Sequence, residues 1–182
     1  MSVAYTDEIE IMTAIRDRLR AKHHEFTQKT CFLSDTPIPA VMAFSDVGVT
    51  ICNGGSQYDE GTWMGAGPNA VATQTTILIT VLRRCALDTP GKTEDALSHA
   101  SKSILAYRKI ILSALLTSDG DFCDGFRWQW VMMVDGNTVL IDGGPVPRGW
   151  SPPRYEIQGD HTYLVTTLTL TVGFDQSLAQ EQ

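Results

Sequence analysis

The chain has 182 residues, 43% hydrophobic and 19% charged, with a mean hydropathy of −0.06. That composition excludes general disorder, and the length suffices for one domain burying roughly 70% of its unfolded surface. With 14 basic against 21 acidic residues the net charge is −7, which argues against a monomer that grips nucleic acid by neutralising phosphates. No apolar run reaches the ~18 residues that cross a bilayer, and Met1 to Glu8 has no basic leader region, so a soluble chain without a secretion signal is expected.

The first predicted element is a helix from about Thr6 to Lys22. Thr6 or Asp7 can cap it, Glu10 completes an Asp-x-x-Glu box with Asp7, and Asp7, Glu8 and Glu10 suit the positive end of the helix dipole. Ile9, Met12, Ile15 and Leu19 form a narrow apolar stripe, while Arg16, Arg18, Arg20 and Lys22 collect toward the other end. After a polar link, Thr36-Pro37-Ile38-Pro39 favours an extended approach to two short β-like runs, Ala40 to Phe44 and Val47 to Cys52.

Asn53-Gly54-Gly55 breaks the pattern, and glycines punctuate the chain to Asn69. Thr73 to Cys85 is β-branched and apolar on both parities, with Ile77, Ile79 and Val81 on one face and Leu78 and Leu82 on the other. Both faces of that strand should therefore be covered, by this chain or by another subunit. Asp88-Thr89-Pro90-Gly91 turns into a long helix, Thr93 to Leu116, with a stripe of Leu97, Ala100, Ile104, Ile111 and Leu115 thickened by Leu105, Leu112 and Leu116.

Trp130 to Val134, Asp135-Gly136-Asn137 and Thr138 to Ile141 read as a hairpin. Residues 143 to 154 read as an irregular Pro-rich loop. Tyr163 to Phe174 is a strand with apolar Leu164, Leu168, Leu170, Val172 and Phe174, and a threonine ladder of Thr167, Thr169 and Thr171. The economical architecture is a single α+β domain over 1–182: a mainly antiparallel sheet, two helices packed on one face, and long protruding loops at 53–73 and 143–154.

Chemistry is sparse. Cys31, Cys52, Cys85 and Cys123 form no C-x-x-C pair, and His23, His24, His99 and His161 do not follow them at zinc spacing, so buried reduced thiols are expected. Gly65-Ala66-Gly67-Pro68-Asn69-Ala70 matches a dinucleotide fingerprint by letter, but a strand rather than a helix follows it. Asp119, Asp121 and Asp124 resemble a calcium loop whose terminal glutamate position is Trp130; a helix-ending turn is the simpler account. No G-x-S-x-G, Walker A or S-x-x-K occurs, and nothing local raises Cys52 or Cys85 as a nucleophile. No enzyme activity, cofactor or metal is expected.

The segment that asks for a function is Asn53 to Thr73, about twenty residues where most connections have ~4–6. It carries Gln57, Tyr58, Asp59, Glu60, Trp63 and Met64 among its glycines. An exposed Trp-Met pair is costly unless a partner covers it, and Trp, Tyr and Met are enriched in interfaces, so these residues are the candidate docking arm for a neighbouring subunit. Trp150, among the prolines of 143–154, is a second and weaker candidate.

The layout resembles the tail terminator (tail completion) proteins of tailed bacteriophages. The resemblance rests on an N-terminal amphipathic helix (Glu8 to Leu19), a protruding loop, a long apolar strand, a long helix, and a closing strand Leu168-Thr169-Leu170-Thr171-Val172-Gly173-Phe174. It implies a virion structural protein, made in the host cytoplasm, forming a ring (usually hexameric) that caps the tail tube. Contacts to tail-tube and neck (stopper) proteins, a lumen through which genome DNA passes without tight binding, no membrane association and no catalytic residues follow from the same resemblance. The loops 53–73 and 143–154 exceed a minimal terminator and suit another neck ring or a tail-tube protein as an alternative. A different class of reading is a small-molecule-binding αβ domain or enzyme, its pocket walled by Trp63, Trp150 and Asp160 or His161.

Overall fold

The computed structural model describes residues 7–39, 46–58, 70–85, 103–116, 130–134, 137–141 and 146–177. Among them the chain forms two helices and eight strands: α1 (Glu8–Lys22), β1 (Cys31–Leu33), β2 (Val47–Tyr58), β3 (Ala70–Cys85), α2 (Ile104–Leu116), β4 (Trp130–Val134), β5 (Asn137–Ile141), β6 (Val146–Trp150), β7 (Arg154–Gln158) and β8 (His161–Ser177). The expected α+β domain with a mostly antiparallel sheet and two helices is what forms.

The capping box at the start of α1 is present. Asp7 Oδ1 accepts the Glu10 N–H at 2.8 Å, and Glu10 Oε2 accepts the Asp7 N–H at 3.2 Å. The buried stripe is Ile11, Ile15 and Leu19 rather than one begun by Ile9, which is 63% exposed. Ile9 and Ile11 lie about 200° apart around a helix, so only one can face the sheet, and Ile11 is in register with Ile15 and Leu19.

The six-stranded sheet runs β1-β2-β3-β8-β6, with β7 also pairing β8. Every pairing is antiparallel except the parallel contact of β1 with β2. The register sets Val49 beside Val81, Ile51 beside Ile79, Ile79 beside Leu168 and Ile77 beside Leu170. These side chains share one face, where Ile11, Ile15 and Leu19 of α1 and Ile104, Tyr107, Ile111 and Leu115 of α2 complete the core. On the opposite face Leu82, Tyr163 and Val165 are covered by Phe32 and Ile38, and the Thr50 hydroxyl donates to the Pro37 carbonyl at 2.6 Å. The doubly apolar β3 is thus covered by this chain on its helix-bearing face and, at Leu82, on the other, where Leu78 is half-buried.

Several boundaries differ from expectation. Both ends of the stretch 53–73 are strand: β2 continues to Tyr58 and β3 begins at Ala70, paired from Ser56–Thr75 to Tyr58–Thr73, while 59–69 lie outside the described residues. Of the glycines that suggested a loop, Gly54 and Gly55 serve a bulge at Asn53/Gly55, where Gly55 adopts φ +116°. A Cβ on Gly54 would lie 3.0 Å from Leu78 Cγ and 3.1 Å from Thr76 Cγ2, so a side chain there would have to push those neighbours aside.

The Pro-rich stretch 143–154 holds β6 and the start of β7 instead of an irregular loop; Pro147 is accommodated at an edge beside a register shift. β1 falls in what read as a polar link. Of the expected second helix, Ile104 to Leu116 is described, and beside its first turn the Ser103 Oγ accepts the Ala106 N–H at 3.0 Å. Leu105 is 45% exposed instead of thickening the stripe. The hairpin β4–β5 forms with Trp130 opposite Ile141 and Val134 opposite Asn137. The expectations for Ala40–Phe44, for the calcium-like run 119–124, for the fingerprint-like run at 65–69, and for the first part of the long helix (93–102) fall outside the described residues.

Candidate functional site

The end of the sheet formed by the far half of β2, the start of β3 and the last residues of β8 is where the candidate arm is rooted. Side chains there are polar yet packed. Ser56 Oγ lies 2.8 Å from Glu8 Oε1 and 2.9 Å from Thr75 Oγ1. Asn53 Oδ1 accepts the Gly55 N–H at 2.6 Å and sits 3.5 Å from Thr75 Oγ1. Thr73 and Thr75 are buried, and Phe174 pairs with Thr73 across the β3–β8 ladder. The first turn of α1 is therefore pinned to the hairpin through Glu8, and the hairpin leaves the core as a braced two-stranded arm. Unpaired buried hydroxyls would cost about 1–3 kcal/mol each, so this network fixes the bulge as well as tolerating it.

Of the predicted docking residues, Gln57 and Tyr58 stand exposed on β2, Tyr58 at 60%. Asp59, Glu60, Trp63 and Met64 fall outside the described residues. Trp150 is placed elsewhere. It lies in β6 opposite Leu168, half-buried and packed against the core. The Arg108 guanidinium sits 5.3 Å from its ring centroid. Its indole Nε1 is buried with no hydrogen-bond partner among the described residues. Leu168 is six residues along β8 from Phe174, about 20 Å at strand rise, so Trp150 does not converge with Tyr58.

Arg108 explains how β6 is held. It donates to Thr166 Oγ1 and, at 2.5 Å, to the Ser151 carbonyl, tying α2 to the turn between β6 and β7. Burial lowers its pKa. The pocket expected from Trp63, Trp150 and Asp160 or His161 is not assembled by the described members. His161 pairs with Gln158 at the β7–β8 turn, seven residues along β8 from the partner of Trp150.

Two apolar residues that the sequence reading passed over are exposed on β7: Tyr155 at 53% and Ile157 at 72%. The signal was the alternation Arg154-Tyr155-Glu156-Ile157-Gln158, a two-residue period hidden behind the preceding prolines. A shallow cleft of about 400 Å³ lies between α1 and α2, lined by Lys22, His23, Lys109, Ile110, Ser113 and Ala114. Burial pushes the His23 pKa down, and its ring stacks on His24 at 4.9 Å.

Cys31, Cys52 and Cys85 are buried, and burial pushes each thiol upward, Cys31 to about 12. Thiols so raised stay protonated near neutrality, which does not suit a nucleophile. Among the described residues no group of three His, Cys, Asp or Glu is placed to hold a metal. No described helix is long and apolar enough to cross a membrane.

No protein-family model matches the chain, and no curated protein sequence matches it. Solved structures are similar in fold. The sheath/tube terminator of an extracellular contractile injection system (PVC), determined by cryo-EM in its extended state, superposes with a TM-score of 0.53 at 18% identity. The alignment covers 98% of this chain and 59% of that one, so the chain spans under two thirds of the terminator's length. The shared property is a terminator-like fold.

Proposed function

We propose that the chain is a ring-forming terminator, a structural protein that caps a tail tube and joins it to the adjoining part of the machine. The observation that carries this reading is the fold likeness to a sheath/tube terminator, which runs through 98% of the chain. The braced β2–β3 arm adds support, because it presents Gln57 and an exposed Tyr58 at the root of the segment holding Asp59, Glu60, Trp63 and Met64. Trp150 contributes from within, as the packed underside of β6.

In its finer form the proposal places a hexamer at the head–tail junction of a tailed-phage virion, in contact with tail-tube and stopper proteins. Genome DNA would pass through its lumen without tight binding, which the net charge of −7 suits, since an acidic wall repels phosphate.

The arm is tested by replacing Tyr58, Trp63 and Met64 together with serine and imaging the protein by negative stain. Rings are expected to be lost while far-UV circular dichroism stays native; rings that persist at wild-type concentration contradict the docking role. The images also separate the neighbouring roles, because a terminator closes into single rings whereas a tail-tube protein stacks into long tubes.

A further inference from the structure

Among the described residues the six-stranded sheet ends in two open edges. On one side β1 covers β2 only from Val49 to Ile51, so among the described residues Asn53 to Tyr58 pairs with β3 and has no strand on its outer side. On the other side β7 pairs β8 and has no outer partner among the described residues. Edges left open in this way are templates for further strand pairing.

The registers fix which backbone groups point outward. In β2, the Val49 N–H and the Ile51 carbonyl face β1, donating to or accepting from Thr30 and Ser34. Alternation carried past the Asn53/Gly55 bulge puts Ser56 and Tyr58 outward. In β7, Gln158 and His161 close a two-residue turn at Gly159-Asp160 and so form the hydrogen-bonded pair; Ile157 and Tyr155 then point their N–H and C=O away from β8.

The side chains of both outward sets lie on the helix-bearing face. Ser56 and Tyr58 sit beside buried Thr75 and Thr73, and Tyr155 pairs with Leu164 of the main core. Glu156 and Arg154 occupy the other face of β7, joined by an ion pair at 3.0 Å. The strand directions agree as well: β2 and β8 run one way, β3 and β7 the other. The β7 edge of one copy therefore fits the β2 edge of another as one more antiparallel pair with the pleat continued.

We infer that copies of this chain join head to tail, β7 of one against Ser56–Tyr58 of the next, bringing Tyr58 against Tyr155 and Ile157. This rests on the ring-forming reading above and names the surface by which the ring closes. A second copy is the occupant because one chain carries both halves of the joint in matching parity, which a heterologous, ring-closing contact requires. The two edges lie at opposite ends of β8, about ten residues or roughly 30 Å apart, so neighbours are staggered and the strands tilt against the ring axis. One such joint buries far less than the roughly 1,200–2,000 Å² of a stable pair, so the complex gains its stability on closure, when every copy uses both edges.

The test combines two variants of the full chain. In Ile157→Pro the lost N–H is the outward one, so the β7–β8 ladder survives while the joint is blocked. In the double variant Tyr58→Cys/Ile157→Cys, mild oxidation should link copies into a ladder of dimer, trimer and higher species on denaturing gels, which neither single cysteine yields. Ile157→Pro should raise the concentration needed for assembly about tenfold or more, with an unchanged circular dichroism spectrum. Wild-type rings with no ladder, and with assembly of Ile157→Pro unaltered, overturn this joint and leave the ring reading standing. A wild-type chain that stays monomeric at every concentration overturns both. Should Ile157→Pro fail to fold, the cysteine ladder decides alone.

Discussion

Gly55 shows how a single residue decides the shape of the arm. Its φ of +116° is a conformation that L side chains rarely adopt, and nothing lies within 4 Å of where a Cβ would be, so the requirement is the backbone angle and not space. Gly55→Ala should cost about 1–3 kcal/mol in urea unfolding, and an unchanged midpoint would show that the bulge relaxes freely. Arg108 works in the opposite sense, by making contacts. Removing its bonds to Thr166 and Ser151 in Arg108→Met should cost about 2 kcal/mol, and Arg108→Lys should rescue little, because a single ammonium does not reproduce the fork. His23 sets a pH dependence. Its pKa is lowered by burial, so the folded state binds its proton less well than the unfolded chain. The stability it contributes is present above the unfolded value near 6.5 and is lost as the pH falls through the folded value. Thermal scans at pH 5 and 7.5 should show that loss in the wild type and a shallower one in His23→Gln; equal slopes contradict the assignment.

At the scale of elements, periodicity was the reliable guide and punctuation the misleading one. β3, β8 and the β4–β5 hairpin were legible because alternation and a two-sided apolar run admit little else. Proline and glycine marked β6 and the arms of the β2–β3 hairpin as loops. A bulge, an edge strand and a tight backbone approach use the same residues as a turn, and only the partner strand tells them apart. β1 was invisible because three residues carry no period, and its pairing depends on Val49–Ile51, far along the chain. The choice of Ile11 over Ile9 was likewise set by the tertiary contact. Of the candidate docking residues, Gln57 and Tyr58 are named by composition and stand exposed, whereas Tyr155 and Ile157 needed the topology to show them at an edge. The start of α2 offers a check at this scale: Ser103→Ala removes the cap on Ala106 and should lower stability by about 1 kcal/mol, while no change would mean that the helix continues upstream of Ser103.

At the scale of the whole molecule, the described residues form a sheet with both helices on one face, the braced β2–β3 arm toward one end, and exposed Tyr155 and Ile157 on β7 toward the other. In the proposed ring this unit is the repeating part. Its net charge of −7 separates two ways of meeting DNA, since a channel wall must let the polymer pass while a binder must hold it. In gel-shift experiments at physiological salt the protein should leave duplex DNA unretarded; retention at micromolar protein would contradict a sliding lumen. The proposal that this chain closes into a ring is tested most directly by light scattering across a concentration series with negative-stain images at the top. The account predicts a concentration-dependent closed ring, with six copies of the 20.0 kDa chain giving about 120 kDa. A single species at 20.0 kDa throughout, with no rings on the grid, would contradict it.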